Sequence, residues 1–168
     1  MFVAHQDNNM LNLSFYCWSF EELDTYQLYR IMQLRQEVFV VEQDCPYLDA
    51  DDKDQKSYHV CGIDESNIIQ AYTRLVPKGI SYPNYISIGR VVNSKSIRGM
   101  GYGTILMEKS IEEAKKLWPN IPIKISAQTY LIKFYNSLGF KEIGEEYLED
   151  DLPHIAMIND FSNENLLK

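Results

Sequence analysis

The stretch Ile86 to Ile111, ISIGRVVNSKSIRGMGYGTILMEKSI, decides how this chain is read. Its first seven residues, Ile86 to Val92, are rich in β-branched side chains and suit a pleated, half-buried strand. Its last part carries Met107 and Ile111, followed further on by Ala114 and Trp118, spaced as one face of a helix opening near Gly101. Between them lies a turn holding Arg98, Gly99, Gly101 and Gly103. Three of the chain's eight glycines fall here. Without a Cβ, a glycine lets backbone approach a ligand closely and adopts positive φ freely. A helix that starts behind such a turn presents unpaired N–H groups and the positive end of its dipole. That combination is an anion site, and a diphosphate is the biological anion that fits it best.

The spacing separates the known diphosphate loops. A Walker A loop ends in Gly-Lys-Ser/Thr, whereas Gly103 is followed by Thr104 with no lysine before it. A dinucleotide fingerprint needs G-x-G-x-x-G, and Gly99-x-Gly101-x-Gly103 is one residue short. Arg98-x-x-Gly101-x-Gly103 instead resembles the R/Q-x-x-G-x-G/A motif of the GNAT N-acetyltransferases, which hold the pyrophosphate of acetyl-CoA.

Composition sets wider bounds. At 168 residues, 45% hydrophobic and 24% charged, the chain has the make-up of one globular domain with a sizeable core. Residues 1–10 read as a loose lead-in and residues 11–168 as that domain. No apolar run reaches the length of a membrane span, and MFVAHQDNN lacks the regions of a signal peptide. Cys17, Cys45 and Cys61 are scattered, with no C-x-x-C pair, so neither a disulfide frame nor a metal site is expected. A net charge of −8 argues against nucleic acid and anionic membrane as partners and suits a cationic small substrate. The expectation is a cytoplasmic, metal-free protein, monomeric or homodimeric.

Taken in order, the chain reads β-α-β-β-β-α-β-α-β-β. Leu11–Phe20 is an aromatic-rich strand, and Glu21–Gln43 is helical until VFVV near Phe39 favours an extended chain. The stretch Cys45–Asp54 is a proline- and aspartate-rich loop, either solvated or one wall of a pocket for an amine. Strands follow at Ser57–Ile63 and Ile68–Val76 around a turn at residues 64–67. After the central strand, turn and helix, Ile121–Ala127 is a strand and Thr129–Leu138 a short helix ended by Gly139. Phe140–Tyr147 and Ile155–Ile158 are the last strands, with an acidic loop at Glu149-Asp150-Asp151 between them. Strands and helices without strict alternation make an α+β fold with a mixed sheet, part parallel and part antiparallel.

A second motif agrees with the first. In AQTYLIKFYNSLGF, residues 127–140, Phe134-Tyr135 and Leu138-Gly139-Phe140 resemble the N-x-x-A-x-x-F-Y-x-x-x-G-F segment of GNAT enzymes. VFVVEQ, CPY-x-D-x-D, IGRVV and Pro153-His154-Ile155-Ala156-Met157 extend the likeness to the ElaA-like branch of that superfamily, over nearly all residues after about 11. Gln128 stands where many relatives have asparagine, Leu131 where many have alanine, and Asn93 where valine or isoleucine is usual. Gln128 keeps an amide for the pantetheine, and Leu131 would narrow the cleft beside the thioester.

The resemblance implies a GNAT-like sheet flanked by helices and splayed between its fourth and fifth strands. Unpaired backbone groups there would bind the pantetheine arm like an added strand. On that basis Val91, Val92, Asn93 and Gln128 would contact the arm, and Arg98, Gly99, Met100, Gly101, Tyr102 and Gly103 would hold the pyrophosphate. The co-substrate implied is acetyl-CoA, and the acceptor is an amine of a small molecule or peptide. Tyr135 matches the family's general acid for the departing thiolate. The strand Tyr85–Asn93 carries no Asp, Glu or His, so a base directly on it is excluded. Glu42, His59, Glu145 and His154 are the candidate bases, with a relayed water as the alternative. Arg90 is a candidate for orienting groups or binding an acidic part of the acceptor. The competing function is a non-catalytic acyl-CoA-binding sensor or interaction module.

Overall fold

A strand that cannot stay regular shapes this molecule. The computed structural model describes residues 11–161. The lead-in expected at residues 1–10 lies outside them. Strands β1 (Ser14–Ser19), β2 (Tyr58–Ile63), β3 (Ile69–Val76) and β4 (Ser87–Asn93) form one antiparallel sheet in that order. In β4 the register slips: Tyr72 faces Val92 while Arg74 faces Gly89, so Thr73 stands opposite both Arg90 and Val91. The extra residue is a β-bulge, and Arg90 adopts a left-handed φ of 53° to make it. A bulge bends its strand and increases local twist, so β4 turns away from its next neighbour.

That neighbour is β5 (Ile123–Gln128), which belongs to a second antiparallel sheet with β6 (Lys141–Glu149) and β7 (Leu152–Asn159), in the order β5-β7-β6. The two sheets meet through one parallel bridge, Ile86 with Ile123. Its bonds are Ile86 N–H to Pro122 O at 3.2 Å and Lys124 N–H to Ile86 O at 2.9 Å. Beyond that bridge β4 and β5 are unpaired with each other, so the mixed sheet opens between its fourth and fifth strands as expected. Parallel pairing is confined to the bridge.

Three α-helices complete the expected order: α1 (Thr25–Arg35), α2 (Tyr102–Leu117) and α3 (Ile132–Ser137). Helix α1 starts later than Glu21 because Asp24 caps it. The Asp24 carboxylate accepts from Gln27 N–H at 2.7 Å, and Gln27 Oε1 accepts from Asp24 N–H at 2.9 Å. The VFVV segment does not become extended. Gln36–Glu42 continues as a π-helical turn, with Val38 and Phe39 packed on a cluster built from Ile31, Leu34, Tyr72 and Val92. Burial of that pair outweighs their β propensity. Helix α2 buries Leu106, Met107, Ile111 and Ala114 against the first sheet, the face its periodicity predicts. The acidic stretch after β6 is shorter than read: Asp150 and Asp151, with φ of 49° and 61°, form a two-residue hairpin turn, and Glu149 belongs to the strand.

The Cys45–Asp54 loop is not simply solvated. Asp49 is only 4% exposed and Asp54 7%. Arg35 Nε donates to Asp49 at 2.7 Å and its Nη1 to Asp54 at 2.7 Å. Arg74 bonds Asp51 at 2.6 and 2.7 Å and Asp54 at 2.9 Å. Arg90 Nε donates to Asp49 at 2.6 Å. Three arginines and three aspartates thus balance, and they tie α1 and β3 to the bulge of β4. Burial raises the carboxyl pKa of Asp51, but the Arg74 bonds and charge outweigh it and hold the group down at about 2. Asp54 is likewise raised by burial and lowered further by Arg35 and Arg74.

Breaking a buried pair by removing one partner strands the other charge, at about 3–5 kcal/mol. Asp49→Asn, which takes a charge from both Arg35 and Arg90, is expected to cost that much in urea unfolding. The more exposed Asp51→Asn is expected to cost clearly less. Equal, small losses would show that the network does not hold the bulge. Asp51 and Asp54 have folded pKa values below the unfolded reference of about 3.9, so their contribution is fully present above that pH. It is lost as pH falls through about 2 for Asp51. The urea midpoint should therefore drop between about pH 4 and pH 2, and Asp51→Asn should flatten that drop.

Candidate active site

Past the Ile86–Ile123 bridge, the parted strands wall a cleft of about 240 Å³. Gly89, Arg90 and Val91 line it from β4, and Ile125, Ser126 and Gln128 from β5. Leu131 and Tyr135 close one side, while Cys45 and Tyr47 of the acidic-rich loop close another. Part of that loop is therefore a pocket wall, as one reading of the sequence held, though Asp49 and Asp51 face arginines.

The glycine turn lies at the C-terminal end of β4. Gly99 and Gly101 have φ of 76° and 85°, and a Cβ built on either meets nothing within 4 Å, so the turn is open on that side. Gly101 precedes the first turn of α2 and has no side chain to cap it. Asn93 supplies the cap from the neighbouring strand. With its amide oxygen turned toward the helix, it accepts from Gly103 N–H at 3.1 Å, while its NH2 donates to Val92 O at 3.2 Å. The asparagine that departs from the family pattern thus ties β4 to α2. Tyr102 points its ring into the core and bonds the Leu11 carbonyl. Met100 is exposed. Arg98 does not stand free beside the turn. Its guanidinium forms a two-point pair with Glu42, one contact at 2.8 Å, and its Nε donates to Asn93 O at 3.1 Å.

The site residues singled out in the sequence divide clearly. Tyr135, Gln128, Val91, Arg90 and His154 line the cleft. Tyr135 is 7% exposed, its ring edge-on to Phe134 and Phe140 at 5.1 and 5.9 Å. Burial pushes its phenol up to about 12. Val92 is buried in β4 on the α1 side. Of the four candidate bases, three stand elsewhere. His59 is wholly buried, with Nδ1 on the Tyr72 hydroxyl at 2.8 Å and Nε2 on the Asp54 carbonyl at 3.1 Å, so no substrate proton reaches it. Burial also lowers its pKa. Glu42 is held by Arg98, and Glu145 is exposed on an irregular stretch of β6. Arg90 is spoken for by Asp49 and Asp51.

The sequence missed other lining groups. Glu149 and Asp150 stand at the rim, with Tyr130. Ser126 donates to Glu149 Oε2 at 2.6 Å and accepts from the Tyr147 hydroxyl at 2.6 Å. Only the β6–β7 register, with Tyr147 opposite His154, brings these together, and no local motif announces it. Among the described residues no group of three His, Cys, Asp or Glu side chains is placed to hold a metal ion. No helix of the described residues is long and apolar enough to cross a membrane.

Comparison with known proteins agrees with this geometry. The profile of the acetyltransferase (GNAT) domain matches residues 26–161. Protein ElaA of Escherichia coli is 41% identical over 138 residues, covering 81% of this chain and 89% of that one. Its crystal structure superposes with a TM-score of 0.83, covering 89% of this chain and 100% of the other. A UPF0039 protein of Synechocystis is 41% identical over 144 residues, 84% of this chain and 93% of that one. The crystal structure of an acyl-CoA N-acyltransferase from Pseudomonas aeruginosa is 39% identical with a TM-score of 0.84, covering 88% and 99% of the two chains. With its split sheet, glycine turn and matched profile, the chain belongs to the GNAT acetyltransferase family.

Proposed function

We propose that this protein is an acetyl-CoA-dependent N-acyltransferase that moves the acetyl group to an amine of a small molecule or peptide by direct attack. The observation that carries the proposal is the cleft itself: two strand edges parted beside a glycine turn, with a buried tyrosine lining the gap. At Gly99 and Gly101 the turn faces open space and is suited to the pyrophosphate. The free edges of β4 and β5 suit an extended arm with its own amides, taken up as an added strand. Val91, Val92, Asn93 and Gln128 are the residues proposed to meet that arm, and Arg98 to Gly103 those proposed for the pyrophosphate. Arg98 would exchange part of its pairing with Glu42 for the phosphates, an exchange open to an exposed pair of this kind.

The reaction has two proton requirements. The amine must lose a proton, and the leaving thiolate must gain one. Tyr135 is assigned the second. A phenol pushed up to about 12 stays protonated at neutral pH and keeps its proton available. So weak an acid yields its proton only as charge gathers on sulfur, in the transition state. Its contribution is therefore expected near the lower end of the range of about 10²–10⁴ typical for such groups. A non-catalytic sensor would need no such hydroxyl in the cleft.

Acetyl-CoA is expected to raise the melting temperature, because a ligand that binds only the native state stabilises it by mass action. NAD and ATP should do much less, and equal shifts from all three would remove the CoA assignment. Gly101→Val forces a β-branched residue into a left-handed conformation, at about 1–3 kcal/mol of strain. It should leave the protein folded and suppress the acetyl-CoA shift. Tyr135→Phe keeps the ring packing and loses the hydroxyl. Single-turnover thiol release should slow by about 10²-fold, with acetyl-CoA affinity by calorimetry unchanged. An unchanged rate would leave Tyr135 as a packing residue.

A further inference from the structure

His154 stands apart from the other three candidate bases, and its surroundings say why. It lies on β7, the central strand of the second sheet, where the register sets it opposite Gln128 of β5 and Tyr147 of β6. Directly opposed residues share a face of the sheet. Gln128 lines the cleft, and so does His154. The residue is 9% exposed, about nine-tenths buried. It stacks on Tyr147 at 6.2 Å between centroids, with the planes 23° apart. The Tyr147 hydroxyl is itself fixed on Ser126, which bonds Glu149.

The tautomer follows from one bond. His154 Nδ1 is 2.8 Å from the Leu152 carbonyl oxygen. A carbonyl oxygen only accepts, so Nδ1 carries the hydrogen. In the neutral ring the lone pair then belongs to Nε2, for which no described residue supplies a hydrogen bond. A buried ring that lines the cleft, oriented by a backbone carbonyl and an aromatic face, thus keeps a basic nitrogen with no partner among the described residues.

We propose that His154 is the general base of the transfer, with Nε2 taking the proton of the acceptor amine. The assignment rests on the acyltransfer reading above. The amine nitrogen's lone pair forms the new N–C bond at the thioester carbonyl, and its proton passes to Nε2. The C–S bond breaks with its electron pair on sulfur, and sulfur takes the Tyr135 proton. The imidazolium proton then passes, directly or through solvent, to the phenolate, which restores both groups. The net change is amine plus thioester to amide plus thiol. Glu149 and Asp150 line the same cleft. The cation of Arg90, also there, is already met by Asp49 and Asp51.

Three variants test this. His154→Asn keeps an amide donor near the Nδ1 position and removes Nε2. His154→Gln and His154→Ala remove the ring in other ways. Each would be compared with wild type in single-turnover thiol release from acetyl-CoA, with lysine, putrescine, 2-phenylethylamine and a dipeptide as acceptors. Acetyl-CoA binding would be followed by calorimetry. The expected result is a fall of about 10²–10⁴-fold in transfer with acetyl-CoA affinity within about twofold of wild type. Added imidazole should restore part of the rate to His154→Ala, which a side chain that only holds β7 in place would not show. Transfer at the wild-type rate in the variants overturns the base. So does loss of acetyl-CoA binding in all three without rescue by imidazole. No thiol release by wild type with any of these amines overturns the acyltransfer reading itself, and the base with it.

Discussion

The pairing of Arg90 with Asp49 is the interaction on which the cleft depends. Arg90 sits at positive φ in a strand, a conformation that costs an L-residue of this kind about 1–3 kcal/mol and persists only when its surroundings fix it. The surroundings here are electrostatic. Asp49 holds Arg90 at 2.6 Å and Arg35 at 2.7 Å, while Arg74 and Asp54 complete the cluster from β3 and the loop. A buried cluster of this kind offers weak evidence of net stability, since its desolvation cost offsets much of the attraction. Its value is geometric. It fixes which residue of β4 bulges, and that choice decides where the sheet parts.

Much of this was legible in the residues. Alternation and helical spacing gave seven strands and three helices in order, because each segment buries one face and carries the corresponding period. The glycine turn was legible because only glycine takes the φ found at Gly99 and Gly101 without strain. The fate of VFVV was not, since Val38 and Phe39 obey a partner surface that lies far away in sequence. The roles of Asp49, Asp51 and Asp54 were also hidden. A run of aspartates next to proline looks like a solvated loop until the arginines that meet it, 14 to 41 residues away, are placed.

The site shows the same division. That Tyr135 and Gln128 would line the cleft was legible from their motif. His154 could be named but not ranked, because what distinguishes it from His59 is not in its neighbours along the chain. His59 has both ring nitrogens engaged inside the first sheet, whereas His154 has one engaged and lines a cleft. Glu149 was misplaced into a loop. The two-residue turn at Asp150-Asp151 needs positive φ at both positions, which aspartates tolerate, and this extends β6 far enough to bring Glu149 to the rim.

The Asn93 cap carries a consequence for how α2 and β4 move. Asn93 is the last residue of β4, and its side chain holds an N–H of the first turn of α2. Strand and helix are therefore mechanically one piece at this corner, and the loop between them, residues 94–101, is closed at its base like a clasp. A force or fluctuation that shifts β4 drags the start of α2 with it, so the spacing between strand edge and glycine turn is preserved. A long, jointed ligand spanning both would meet a fixed distance, with the compliance of the cleft left to its opposite wall, where β5 is joined to β4 by a single bridge.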